Sequence, residues 1–356
     1  MFLAIKEIKR EKLRYGLIIL MIFLISYLIF VLSALATGLA SENTQALESW
    51  DAQKVVLNKN ANVSMSQSFL TKSDLKRASL SKDEALLGQI PVVVKKAGRA
   101  GRPQISAQFI GVKKKQFIYH DQELIAGKRA KKNYEVAVDQ AFKTKGYKIG
   151  DKLALNSSSR KYKIVGFVKN AKINIAPIIY GTLKSWKKLR QGMPTLEASA
   201  IISRNNHYKY NYKNSKTYPI DQFIKKLPGY TAQNMTFELM IGFLYIISLI
   251  IIAVFLYILT MQKMHNYAVM RAQGISSSTL VKATVSQAII LVLTGLIIAL
   301  AAMFVTVKVL PTAVPISFTP RIILTGTVGL LLTAIIGSLI PIRSILKVDP
   351  AQAIGE

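Results

Sequence analysis

The sequence predicts a membrane protein with four transmembrane α-helices and a large α+β extracellular domain inserted between helices 1 and 2. Three observations carry this. Hydrophobic residues make up 51% of the 356 positions, and mean hydropathy is +0.30. Four stretches are apolar and long enough to supply the about 20 helical residues that cross a bilayer. Between the first and second, residues 40–235 are polar and alternate short strand and helix patterns. A soluble fold would have to bury four helices that are apolar all round in one core.

Residues 1–15, "MFLAIKEIKREKLRY", set Lys6, Lys9, Arg10, Lys12 and Arg14 beside the first apolar stretch, with Phe2, Ile5 and Ile8 at helical spacing. They read as a cytoplasmic amphipathic elbow, and the positive-inside tendency places the N-terminus in the cytoplasm. The first span covers 16–39. "ALA" at 34–36 imitates a signal-cleavage site. The apolar run is longer than the about 7–15 residues of a signal sequence, so an uncleaved span is expected. The extracellular domain takes 40–235 and the second span 236–261. A cytoplasmic coupling region follows at 262–281, then the third span at 282–308. A short extracellular loop at 309–320 leads to the fourth span at 321–342 and a cytoplasmic tail at 343–356. Lys263, Arg271, Lys282, Arg343 and Lys347 all fall on the inner side of this arrangement.

Within the inserted domain, "FLTKSDLKRAS" suggests a short helix. "QIPVVVKK" and "QISAQFIGV" suggest strands joined by a "KAGRAGRP" turn. "YEVAVDQAFKTKGYKIGDKLALNSSSRKYKIVGFVKN" reads as strand, short helix, turn, strand, polar hairpin, strand. "SWKKLRQ" looks helical, "ASAIISR" returns as a strand, and "RNNHYKYNYKNSKTY" reads as a polar, Tyr-rich loop. Residues 40–235 carry 36 Lys and Arg against 13 Asp and Glu, a net +23. Long loops cross a membrane largely regardless of charge. Such a surface attracts anionic lipid head groups, wall polymers or an anionic substrate, or is simply a solvated basic exterior. Nucleic acid is not among the expected partners.

Several chemistries are excluded. There are no cysteines, hence no disulfide, thiolate or cysteine-metal chemistry. No G-x-x-x-x-G-K-[ST] run exists, so the chain has no P-loop of its own. There are no metal-spaced histidines and no recognisable catalytic carboxylate pair, so neither a metal site nor a stand-alone enzyme is expected. His120 and His207 read as surface residues. The spans keep ionisable groups out of their apolar centres, with Glu238 only at an end, which argues against a proton-coupled path or an ion channel.

The coupling region holds a device rather than a plain turn. "KMHNYAVMRAQ" is helical by composition, Gly274 suits a left-handed C-cap, and Ser276 suits the N-cap of the next helix. Met264, Tyr267, Ala268, Met270 and Arg271 are candidates for a surface that enters a groove on a cytoplasmic partner; an ordinary cytoplasmic loop is the alternative. In the fourth span Gly329, Thr333 and Gly337 recur every four residues and favour close helix packing, within one subunit or across a dimer seam.

"NYAVMRAQGISSSTLVK" resembles the link after the second helix of FtsX/MacB-type ABC permeases, with Ala268, Met270, Arg271, Ala272 and Gly274 matching and Asn266 replacing a frequent glutamate. "PIRSILKVDPAQAIGE" resembles the family's tail through Pro341, Arg343, Asp349, Pro350, Ala353 and Ile354, and "GYKIGDKLAL…YKIVGFV" its outer domain. The N-terminal stretch through residue 40 is similar to that of HrtB-type haem exporter permeases of Gram-positive bacteria. The resemblance implies a homodimer in the cell membrane working with two copies of a cytoplasmic ABC ATPase. That partner binds ATP and docks at Tyr267, Ala268, Met270, Arg271 and Gly274, and its motion is passed to the outer domain. It also implies haem as substrate, with no permanently bound cofactor. Haem takes His, Met or Tyr ligands. Tyr230 above the second span and Trp50 past the first are therefore candidates for a haem pocket, with Lys225 and Lys226 for the propionates and Tyr180 as a further ligand. Membrane-interface or core roles are the alternatives for these aromatics. Export of a peptide, antibiotic or lipid-linked molecule, or regulation of a cell-wall hydrolase, are the other functions the layout allows.

Overall fold

The computed structural model describes residues 11–96, 104–156, 160–190, 195–311 and 314–346. The chain divides into two compact units, one of residues 39–233 and the other of the segments on either side.

In the second of these, four helices are long and apolar enough to cross a membrane: Lys12–Ser49, Tyr230–Gln262, Ser277–Val309 and Pro320–Leu346. The first runs unbroken from Lys12, so residues 12–15 continue the span instead of forming a separate elbow. No proline interrupts this stretch, and Tyr15 is buried among the helices. The rest of the elbow reading, residues 1–10, lies outside the described residues. Glycines set the close approaches. Gly295 lies under Ile22 and Gly326 under Phe30, where an added Cβ would come within 2.8 Å and 2.5 Å of those side chains. On the fourth helix, Gly329 faces the Tyr245 ring and Gly337 faces Leu249, Ile252 and Ala253. Two members of the predicted small-residue stripe thus receive the second helix of the same chain. Thr333 returns its hydroxyl to the Leu330 carbonyl, 2.7 Å away. The fourth helix breaks at Ser338, whose hydroxyl donates to the Ile335 carbonyl (2.6 Å), three residues before Pro341, which has no N–H to give.

The inserted unit is a mixed sheet with short helices. Its strands are β1 (Lys54–Asn58), β2 (Leu70–Thr71), β3 (Glu84–Lys96), β4 (Ile105–Val112), β5 (Leu124–Gly127), β6 (Glu135–Asp139) and β7 (Lys152–Leu155). Then come β8 (Lys161–Val168), β9 (Lys172–Ile173), β10 (Ala176–Thr182), β11 (Leu196–Ala198), β12 (Ala200–Ser203) and β13 (Ser215–Pro219). The main sheet runs β13-β1-β12-β3-β4-β10-β6-β8-β5, and β7 pairs with both β3 and β8. Strands β3, β4, β10, β6, β8 and β7 therefore close a ring. β4 and β10 are parallel, as are β6 and β8. Alternating residues divide between two cores, as a period of two requires. Phe109, Val138, Leu153, Tyr162, Ile164 and Ile179 fill one. Ile110, Ala137 and Tyr180, from three of the same strands, join Trp50, Leu57 and Phe223 in the other.

Two sequence expectations change here. Residues 72–77 form turns rather than a helix. Asp74 accepts from both the amide and the hydroxyl of Thr71 (3.0 and 2.7 Å), and this local cap competes with helix. The Tyr-rich "loop" ends in β13, an edge strand on β1, and buries Tyr210 and Tyr218. The "KAGRAGRP" turn and the centre of the polar hairpin fall mainly outside the described residues.

Candidate functional site

The second and third spanning helices are joined by helix Met264–Ala272, Gly274 and the N-cap Ser276. The helix ends in a Schellman motif. The Gly274 amide donates to the Arg271 carbonyl and the Ile275 amide to the Met270 carbonyl, each at 3.0 Å. Gly274 has φ +89, the left-handed region that L side chains resist. Met270 and Ile275 both pack against the cluster of Tyr267, Leu280 and Ile345. Ser276 then starts the next helix by accepting from the Thr279 amide. The turn at Gly274 is thereby fixed by hydrogen bonds on both sides, and the guanidinium of Arg271 donates across it to the Ser277 hydroxyl.

Helical periodicity decides which face is free. Tyr267 and Ala268 are buried, Tyr267 against Leu280 of the third helix and Ile345 of the last. Met270 and Arg271 are half-buried, and Gly274 is exposed at the tip. The outward face is instead His265, Asn266, Val269, Ala272 and Gln273. Tyr267 and Ala268, two of the docking candidates, thus face the bundle. They hold the elbow to the bundle, because residues at i and i+4 from Met264 share the inner side.

Beneath the elbow lies a cluster that sequence reasoning missed. Lys263 donates to the Tyr15 hydroxyl at 2.9 Å, and the buried Gln287 carboxamide donates to the same oxygen. Lys263 also lies over the Tyr15 ring, 5.7 Å from its centroid. One phenol thus ties the first helix, the start of the elbow and the third helix together. The available signal was Gln287, the one carboxamide in the apolar stretch Ser277–Val309.

The haem candidates do not converge. Trp50 and Tyr180 do meet, with the indole N–H donating to the phenol at 3.1 Å, but both are buried in the core of the inserted unit. Burial pushes the Tyr180 phenol well above its usual range, which disfavours the phenolate a metal would need. Tyr230 opens the second spanning helix and packs its half-buried ring on that same core. Lys226 lines a cavity of about 160 Å³ with Phe223 and Leu227, below the range typical of sites for drug-sized ligands. Lys225 is exposed, and its carbonyl accepts from the Thr231 hydroxyl at 2.7 Å. Among the described residues no three His, Asp or Glu side chains gather as a metal site.

The stretch that carries the elbow matches a known family model, FtsX-like permease C-terminal, over residues 238–350. Residues 238–350 thus resemble an FtsX-like permease domain. Across its whole length the chain is similar to the putative hemin transport system permease protein HrtB of Staphylococcus epidermidis. The two are 27% identical over 362 residues, 100% of this chain and 99% of that one. An uncharacterized ABC transporter permease of Mycobacterium tuberculosis is 23% identical over 235 residues, 64% of each chain. The periplasmic region of MacB from Actinobacillus actinomycetemcomitans superposes with a TM-score of 0.35 and 13% identity, over 48% of this chain and 90% of that one, a likeness too slight to build on. The family match covers the elbow, the Tyr15 partners Lys263 and Gln287, and Gly329 and Gly337 of the fourth helix.

Proposed function

We propose that the permease is the membrane subunit of a mechanotransmitting ABC exporter and that its cargo is haem, extruded from the outer leaflet. Two copies of the permease pair with two copies of a cytoplasmic ATPase. Both termini and the elbow face the cytoplasm, and the inserted domain lies outside a Gram-positive cell membrane. The observation that carries the reading is the elbow. It is a helix closed at its C-terminal end by a Schellman motif and packed on the bundle through Tyr267 and Ala268, with an exposed outward face. A force on that face reaches the first helix through Lys263 and Tyr15 and the third through Gln287.

Haem as cargo is supported by the full-length similarity to proteins named for hemin transport. Titrating haemin into the purified full-length permease and following the Soret band tests it. A saturable, shifted band weakened by Tyr230→Ala is expected. Broadening equal to that of an unrelated basic membrane protein would remove haem as cargo. The burial of Trp50 and Tyr180 favours a second reading, in which the same architecture exports a peptide, antibiotic or lipid-linked molecule.

A further inference from the structure

The inserted unit contains a concavity that the exporter reading does not use. It has a volume of about 630 Å³ and opens where the parallel strands β4 and β10 end side by side, at Val112 and Thr182. Beyond these residues one chain enters a turn and the other a helix, and the loop before β6 forms the third wall. Six lysines line it from these three segments: Lys113 and Lys114, Lys131 and Lys132, and Lys184 and Lys187. The apolar side chains of Val112 and Leu183 also line it.

The positive charge there is mostly uncompensated. Among the described residues only Lys187 of the six has an ion-pair partner, Glu197 at 2.8 Å. Glu135 is nearby, but its carboxylate accepts from the amides of Lys131 and Lys132 (3.0 and 2.9 Å). Six ammonium groups thus face two carboxylates. Two of them are firmly placed. Lys184 and Lys187 ride on helix Leu183–Leu189, which is fixed by the fully buried Trp186. Gly88 and Gly111 make room for that side chain, since an added Cβ would come within 2.2 Å and 2.6 Å of it. Lysines drawn together in a concavity repel one another unless a ligand neutralises them.

The residue type narrows the ligand. Among the described residues no arginine lines the cavity. Arginine's planar fork fixes carboxylate or phosphate oxygens in pairs, whereas lysine is a flexible point charge that serves phosphate without imposing one geometry, which suits a chain of phosphates. The volume exceeds what a single phosphate fills. We propose that this cavity binds a phosphate-rich anion carrying several phosphate groups in series, held by Lys113, Lys114, Lys131, Lys132, Lys184 and Lys187.

The test uses the full-length permease in phosphatidylcholine nanodiscs and a fluorescent short-chain inorganic polyphosphate. One variant changes Lys113, Lys131, Lys132 and Lys184 to Gln. A control changes Lys59, Lys82, Lys143 and Lys209, four exposed lysines of the same unit outside the cavity. The cavity variant is expected to bind roughly tenfold or more weakly, with a salt dependence flatter by about one unit per lysine removed. The control should lose less than about twofold, because screened surface charges act weakly over distance. Returning the four positions to Arg should restore most of the affinity, which shows that the Gln variant is folded. Equal losses in the two Gln variants would reduce the cavity to a generally basic surface and overturn the proposal. So would a polyaspartate probe that binds as tightly as polyphosphate and loses as much in the cavity variant. Anionic phospholipid added to the disc separates two sources of the same chemistry. Competition with the probe points to lipid head groups, and undiminished probe binding points to a soluble or polymeric phosphate.

Discussion

Trp50 and Tyr180 hold one another inside the inserted unit, and their hydrogen bond is structural. Trp50→Phe keeps most of the volume and removes the donor. It should cost about 1 kcal/mol in thermal unfolding and leave haemin binding unchanged; a lost Soret shift would return Trp50 to the candidate haem pocket. Asp139 offers a pH test. It is buried at the end of β6 and accepts from the amides of Ala141 and Ala171 at 2.8 and 3.2 Å. Burial pushes its carboxyl from 3.8 up to about 6, despite those amides and Lys172 nearby, itself ion-paired with Glu42. Between these values the folded chain keeps a proton that the unfolded chain has lost. The stability tied to Asp139 is therefore greatest at low pH and falls as pH rises through 6. Asp139→Asn should flatten this dependence by on the order of 2 kcal/mol, read from melting temperatures between about pH 4.5 and 7; a pH profile unchanged by the substitution would contradict the assignment. Neither residue's role was legible in the sequence. An aromatic beside a span can mark the interface or the core, and only the ring of strands that buries Tyr180 decides which. "VAVDQ" reads as a strand end but does not tell that its acid turns inward.

At the scale of elements, the helix–glycine–helix form was legible because its determinants are local. The Schellman bonds need a glycine at one position, and the N-cap needs a hydroxyl two residues later. Gly274→Ala meets open space but must hold a positive φ. It should weaken the elbow by about 1–2 kcal/mol, measurable as faster hydrogen exchange over residues 264–275. What sequence could not give was the free face. That depends on Ile345, far along the chain, which covers Tyr267 and leaves Val269 exposed. The stripe in the fourth helix behaves the same way. Its four-residue spacing was readable, but its partner, the second helix, was not. Gly329→Leu should force Tyr245 away and lower the melting temperature of the detergent-solubilised chain. A dimer seam at Gly329 would instead show as lost self-association at unchanged thermal stability.

For the whole molecule, the four apolar helices and the inserted α+β unit followed from hydropathy and from strand periodicity, both of which extend over many residues. The ring closure by β7 did not. It joins β3 to β8 across a long stretch of chain, and no local pattern signals it. The proposed docking of an ATPase rests on the exposed face of the elbow helix, His265, Asn266, Val269, Ala272 and Gln273. Val269→Asp tests that most directly. The full-length permease is co-expressed with an ABC ATPase of the same genome, and complex formation and ATP hydrolysis are measured beside the melting temperature. The account predicts that Val269→Asp abolishes co-purification and stimulated hydrolysis at an unchanged melting temperature, whereas Ala268→Asp, which buries a charge, lowers the melting temperature itself. Undiminished co-purification and stimulation with Val269→Asp would contradict the docking of the ATPase on this face.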